Sequence, residues 1–145
     1  MENNLILLDV DGILISKDGS KCSVRNGAKD FVMYCFTIGK VGIYSSMYMK
    51  NITKKLGMVL TKDEINSLFC IFDRSYTYKD PEGVNDWDTL KDLKFISDMY
   101  PSIERVVLCD DTYSKVRYID KDSVIISTDL EEIKKQLIKK LNTES

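Results

Sequence analysis

LILLDVDGILIS, residues 5–16, sets Asp9 and Asp11 inside an otherwise apolar run near the start of the chain. The four aliphatic residues 5–8 suit a strand buried on both faces, the kind that lies at the centre of a parallel sheet. A charge directly after such a strand has no cheap structural excuse, so the run reads as a core strand that carries two carboxylates to the rim of a sheet. Similar runs rich in Val and Ile recur at residues 41–44, 69–72, 106–109 and 124–126. Between them the spacing turns helical. Ala28, Phe31, Val32, Cys35 and Phe36 follow an i, i+3, i+4, i+7, i+8 pattern, and Tyr48, Ile52 and Leu56 form a stripe that Gly57 ends. Thr61 with Glu64 predicts a capping box and a short helix to Leu68. Asp88 is the expected cap of a helix carrying Leu90, Leu93 and Ile96, and Thr128 with Glu131 opens a last helix burying Leu130, Ile133, Leu137 and Leu141. Strands alternating with helices predict the α/β class: a small doubly wound parallel sheet of about five strands, helices on both faces, joined by right-handed crossovers.

Two segments fit neither a core strand nor a helix. Residues 17–26, with Asp18-Gly19-Ser20, predict a short polar flap after the first strand, and residues 74–87, with Pro81-Glu82-Gly83, predict a loop or hairpin arm. Neither is large enough to be a cap domain. Residues 142–145 read as a frayed end. A chain of 145 residues, 43% of them hydrophobic, suits a single domain over residues 1–145 with one continuous core.

Composition removes whole chemistries. With 21 basic and 23 acidic residues, the net charge of −2 gives no general affinity for nucleic acid or an anionic membrane. The N-terminus lacks the flank of a signal peptide, and no apolar run approaches the roughly 18 residues of a membrane span. An intracellular protein, cytoplasmic or nuclear, is expected. Cys22, Cys35, Cys70 and Cys109 form no C-x-x-C pair and read as reduced thiols rather than a disulfide framework or a zinc site. The chain has no histidine, which excludes Ser-His-Asp and Cys-His catalysis and histidine-ligated zinc. The glycine strings G-x-x-x-x-G-K-[ST] and G-x-G-x-x-G are absent too. Carboxylates, lysine, hydroxyls and a hard metal remain.

In an open parallel sheet, ligands collect outside the carboxyl ends of the strands. The residues just past the central strands are Asp9 and Asp11 after the first, Ser45 and Ser46 after the second, and Asp110 and Asp111 after the fourth. Four carboxylates on one rim repel one another unless a cation sits among them, and oxygen ligands without His or Cys suit Mg²⁺. Singly, these residues have ordinary explanations. Ser45 could cap a helix, Lys91 could be a solvated helix lysine, Asp110-Asp111 could be an exposed turn, and Arg74 could be a loop arginine paired with an acid such as Asp73. Jointly they define a site. A calcium-loop reading of D-x-D-G fails, because Gly12 comes two positions early and the twelfth position is Ser20 rather than Glu.

At these residues the chain resembles the haloacid dehalogenase superfamily. LLDVDGI resembles its motif I, IYSS its motif II, Lys91 in LKDL its motif III, and VVLCDDT its acidic motif IV, all in the right order. The short flap, the missing cap and the string KDL…VVLCDDT are most similar to the capless C-terminal-domain phosphatases of RNA polymerase II and their nuclear-envelope relatives, the NLI-interacting-factor-like branch. The resemblance implies a phosphatase with an aspartyl-phosphate intermediate. It makes Asp9 the nucleophile, Asp11 the general acid and base, and Lys91 the stabiliser of developing charge. Ser45, Ser46, Lys91 and Gly12 would bind the phosphoryl group. Mg²⁺ would be held by Asp9, the backbone carbonyl of Asp11, and one or both of Asp110 and Asp111. The even spacing of Asp9 and Asp11 keeps both side chains on one side while strand geometry lasts. Ile13 stands where the family has Thr or Val, and Asp-Asp-Thr where the polymerase-tail branch tends to Asp-Asn-Ser-Pro. The second departure adds a negative charge beside the metal.

A capless site is open and admits large substrates, so a phosphoserine or phosphothreonine protein is the first expected partner, with Arg74 a possible substrate contact. The alternatives within the same chemistry are the 3′-phosphate of a nucleic-acid end or a small-molecule phosphate. Lys54-Lys55 and Lys134-Lys135 read as solvated helix faces, which argues against a nucleic-acid groove. A catalytically idle binding protein of the same fold is the non-enzyme alternative. The run at residues 124–126 reads as an edge strand that a second chain could pair with.

Overall fold

The computed structural model describes residues 3–18, 21–83, 89–112, 116 and 123–142. The chain opens with β1 (Asn4–Leu8), followed by a hairpin of β2 (Ile15–Asp18) and β3 (Lys21–Val24), then α1 (Ala28–Ile38) and β4 (Lys40–Tyr44). Next come α2 (Met49–Val59), α3 (Lys62–Asn66) and β5 (Cys70–Phe72). A second hairpin, β6 (Tyr78–Lys79) with β7 (Thr89–Leu90), precedes α4 (Lys94–Met99), β8 (Arg105–Asp110), β9 (Val124–Ile126) and α5 (Leu130–Asn142). The five strands read from the sequence form one parallel sheet in the order β5-β4-β1-β8-β9. No helix of the described residues is long and apolar enough to cross a membrane.

β1 sits at the centre and every one of its residues is buried. Successive side chains point to opposite faces of a strand, so its apolar run feeds two cores. Ile6 and Leu8 pack with α1, α2 and α5 through Phe31, Val32, Ile52, Leu56, Ile133 and Leu137. Leu5 and Leu7 pack on the other face with Tyr44, Phe72, Leu108 and Ile96 of α4. This is why β1 lacks the polar alternation of a half-exposed strand. The flap after it is the β2–β3 hairpin, starting at Ile15, and the arm is the β6–β7 hairpin; no large cap stands over the sheet among the described residues.

Several local expectations shift. α2 does not end at Gly57 but runs to Val59, because Val59 and Leu60 are themselves buried and their packing outweighs the roughly 1 kcal/mol that an internal glycine costs. Tyr48, expected on the buried stripe, is the exposed N-cap residue of α2. Leu90 is not helical. It pairs with Tyr78 in the arm, and α4 starts only at Lys94, where the Asp92 carboxylate accepts the Lys94 N–H at 2.9 Å. Asp88 lies outside the described residues. α5 is capped by Asp129 rather than Thr128, the Asp129 carboxylate accepting the N–H groups of Glu131 and Glu132 at 3.0 and 3.2 Å. The Thr61–Glu64 capping box is present in both directions, although α3 itself closes at Asn66. β9 is the sheet edge.

Candidate active site

The adjacency of β4, β1 and β8 fixes the site. Leu8 is in register with Ile43 and with Cys109, so Asp9 and Asp110, one position on, and Ser45, two positions on, emerge together at the carboxyl rim. The Asp9 N–H continues the ladder to the Cys109 carbonyl at 3.0 Å, and the Ser45 N–H bonds the Phe72 carbonyl at 2.9 Å. Asp9 is 4% exposed and Asp110 fully buried.

Lys91 explains how two buried carboxylates coexist. It follows β7 directly, so the arm delivers it into the sheet's rim, where it is 1% exposed. Its Nζ lies 2.6 Å from Asp110 Oδ2 and 3.1 Å from Asp9 Oδ1. It is no solvated helix lysine. Burial alone would lower its pKa, but the Asp9 and Asp110 carboxylates outweigh burial and raise it above the ordinary lysine value. Asp110 gains most from this pairing: burial opposes its charge, yet Lys91 and the Thr112 N–H, bonded at 3.0 Å, hold its carboxyl below the usual range. Asp9 is the member left short. Burial, with Asp110 and Asp111 adding repulsion, pushes its carboxyl up to about 7 despite Lys91.

Tyr44, the last residue of β4, seats this lysine. Its hydroxyl donates to the Tyr76 carbonyl at 2.6 Å and accepts the Asp92 N–H at 3.1 Å, pinning the arm on either side of Lys91, whose Nζ is 5.9 Å from the Tyr44 ring centroid. Burial raises the Tyr44 phenol pKa well above its ordinary value. It therefore stays protonated and can donate.

Asp9, Asp110 and Asp111 each offer a carboxylate oxygen, and these oxygens lie within 4.8 Å of one another. Asp111 Oδ1 is buried with no hydrogen-bond partner, although a buried carboxylate oxygen ordinarily finds one. Three convergent carboxylates with one lysine leave excess negative charge, an orphaned oxygen and no nitrogen or sulfur donor. Those are the terms on which a hard, oxygen-seeking cation such as Mg²⁺ fits.

Gly12 lets the acidic groups come together. Its φ of +89° is a left-handed conformation, and a Cβ there would lie 2.2 Å from Asp111 Oδ2. The turn closes through the Gly12 N–H to the Ile15 carbonyl at 2.8 Å. β1 ends at Leu8, so strand alternation does not reach Asp11. Asp11 turns instead to α2, where its Oδ1 meets Lys55 Nζ at 2.7 Å.

The remaining expected residues also lie on this rim. Ser45 is buried and its Oγ accepts the Met47 N–H at 3.1 Å, so it does serve the turn into α2, while its hydroxyl proton remains to be donated. The Ser46 carbonyl accepts from Arg74 at 3.3 Å, and the Arg74 guanidinium lies 5.6 Å from the Tyr48 ring centroid. Sequence reasoning missed Tyr44, Lys55 and Arg25. Arg25 donates to the carbonyls of Gly12 and Ile13 at 2.9 and 3.2 Å and to that of Thr128, tying the flap turn to the start of α5. A recess of about 890 Å³, lined by residues including Arg105, Val107, Lys135 and Lys139, opens instead at the amino end of β8, away from the carboxylates.

Fold and rim together place the chain in the haloacid dehalogenase superfamily, with no large cap among the described residues. Within it, the chain belongs to the NLI interacting factor-like phosphatase family, whose sequence profile matches residues 4–143. No curated protein matches the sequence. Among solved structures, an uncharacterized protein from Listeria monocytogenes serotype 4b is similar at 11% identity with a TM-score of 0.61, over 94% of this chain and 98% of that one. At that identity the likeness speaks to the fold alone.

Proposed function

We propose that the protein is a Mg²⁺-dependent phosphomonoesterase that works through an aspartyl-phosphate on Asp9 and acts on phosphoserine or phosphothreonine in proteins. The observation that carries the reading is the Asp9–Lys91–Asp110 cluster with the orphaned Asp111 oxygen, in a chain that this phosphatase family's profile covers over residues 4–143. Asp9, the Asp11 carbonyl, and one or both of Asp110 and Asp111 would hold Mg²⁺. Once bound, the ion supplies charge neutralisation for the transferring phosphoryl group.

The chain's own residues supply the rest. Asp9 attacks phosphorus while Asp11 gives a proton to the leaving oxygen; Asp11 then takes a proton from the water that cleaves the acyl phosphate. Lys91 places a fixed positive charge beside the reacting carboxylate, and Ser45 offers its hydroxyl to a phosphoryl oxygen. The Asp11 side chain is about a third exposed, which suits a phosphorylated side chain presented by a protein, with Arg74, bonded to the Ser46 carbonyl, the proposed contact for the flanking residues. The test is hydrolysis of an aryl phosphate with and without Mg²⁺ beside Asp9→Asn, followed by a phosphopeptide against a 3′-phosphorylated oligonucleotide. Magnesium-dependent turnover abolished by Asp9→Asn, with preference for the phosphopeptide, is expected. Equal inertness of both proteins toward every phosphate refutes the reading; preference for the oligonucleotide moves the substrate to nucleic-acid ends.

A further inference from the structure

The two aspartates of the opening motif have separate lysines. Asp9 shares Lys91 with Asp110, whereas Asp11 meets Lys55, which projects from the middle of α2 and arrives from the opposite face of the sheet to α4 and the arm. Lys55 differs from its neighbours. Lys50 and Lys54 on the same helix are exposed, but the Lys55 side chain is only 15% exposed, next to the buried Leu56. Its aliphatic stem is covered, so most of the entropy of fixing a lysine is already spent in packing, and its ammonium is held 2.7 Å from Asp11 Oδ1. Among the described residues no other side chain bonds the Asp11 carboxylate.

We propose that Lys55 is a positioning residue that selects which oxygen of Asp11 carries the catalytic proton. The inference rests on the phosphatase reading of the site. An ammonium group has three donors and no acceptor. With Lys55 donating to Oδ1, a proton on Asp11 has its place on Oδ2, the oxygen without a side-chain partner among the described residues. In the first half-reaction an Asp9 oxygen bonds to phosphorus, the bond from phosphorus to the leaving oxygen breaks, and the Oδ2 proton passes to that oxygen. In the second, water oxygen bonds to phosphorus, its proton passes to Oδ2, and the bond between Asp9 and phosphorus breaks, releasing phosphate. Lys55 touches none of the reacting atoms. It removes the freedom of a carboxylate that stands on a turn and is about a third exposed, and alignment of the proton donor decides the yield of general acid catalysis.

The experiment compares wild type, Lys55→Met and Lys55→Arg on substrates whose leaving groups differ. An alkyl leaving group needs the proton of Asp11; an activated aryl leaving group departs without it. For Lys55→Met, kcat/KM toward a phosphoserine peptide should fall at least about tenfold, while kcat/KM toward dinitrophenyl phosphate changes less than about threefold. The peptide's loss should lie in kcat with KM little changed, and Lys55→Arg, which keeps a cation donor, should recover most of it. Thermal melting confirms that each variant is folded. Equal losses on both substrates, a loss confined to KM, or no loss overturns the inference. A wild-type protein inert toward both substrates instead sinks the phosphatase reading, so the two failures are distinguishable.

Discussion

Replacing Lys91 by Met should destabilise the protein by about 3–5 kcal/mol at pH 8, and by much less at pH 5. The structure sets the magnitude. Contacts of 2.6 and 3.1 Å to two carboxylates give gross attractions of about 6 and about 5 kcal/mol at an effective dielectric near 20. Withdrawing the charges from water cancels most of this, and removing one partner of a buried pair costs a net of about 3–5 kcal/mol because the others are left uncompensated. Methionine fills a similar volume, so little of the loss comes from a cavity. The pH dependence follows from the two aspartates. In wild type the depressed Asp110 carboxyl contributes stability that is present above its unfolded pKa of about 4 and lost as pH falls. Without Lys91 both carboxyls rise, so the folded chain holds protons that the unfolded chain has released. Stability of the variant then falls as pH rises from about 4 to beyond 7. Urea unfolding followed by circular dichroism at pH 5 and pH 8 measures this, and the midpoint at pH 8 should drop by roughly 2 M. A loss below about 1 kcal/mol at pH 8, or one equal at both pH values, refutes the argument that Lys91 is the counter-charge of a buried pair.

Three further outcomes follow from the same geometry. Because the metal-free Asp9 carboxyl stands at about 7, cation binding must expel its proton, so Mg²⁺ affinity should weaken about tenfold per pH unit below 7 and level off above; titration calorimetry at pH 5.5, 6.5 and 8 checks it, and a flat profile removes Asp9 from the cation site. Gly12→Ala places a Cβ against Asp111 at a positive φ, so it should cost about 1–3 kcal/mol and abolish the cation-dependent rise in melting temperature, which calorimetric scans with and without Mg²⁺ would reveal. Tyr44→Phe strands the Tyr76 carbonyl and the Asp92 N–H, costing about 1–3 kcal/mol and lowering kcat through a loosened Lys91; unchanged kcat would show that the arm holds the lysine without Tyr44.

The fold was legible wherever one signal governs a whole segment. Five apolar runs became five strands, and the acidic strand ends met on one rim because parallel pairing aligns them. Errors fell where two local rules compete. Gly57 is a helix stop by propensity, but the burial of Val59 and Leu60 carries α2 past it. Thr128 and Asp129 are both good caps, and only the geometry of the first turn chooses Asp129. Leu90 fits a helical stripe with Leu93 and Ile96, yet it pairs across the arm, a contact that spacing does not encode. Lys91 was legible as chemistry, while its burial was not, because burial depends on an arm whose path is set by Tyr44.

Lys55 marks the deeper limit. Lys50 and Lys54 on the same helix are exposed, and helical periodicity assigns Lys55 to the flank of a solvated face. What places it at Asp11 is the rotation of α2 over β1 together with the turn at Gly12, both tertiary quantities. The consequence for chemistry is that the D-x-D spacing delivers two carboxylates whose surroundings, rather than their spacing, set apart the roles proposed for them. Asp9 is desolvated, shares its counter-charge and has its carboxyl pushed up to about 7; Asp11 is about a third exposed and has a lysine of its own. Unequal environments of this kind give two like carboxylates different partners and different access to solvent. Exchanging the surroundings should therefore disable the site even with both aspartates in place, which is why Lys55 and Lys91 are as informative to mutate as the carboxylates they face.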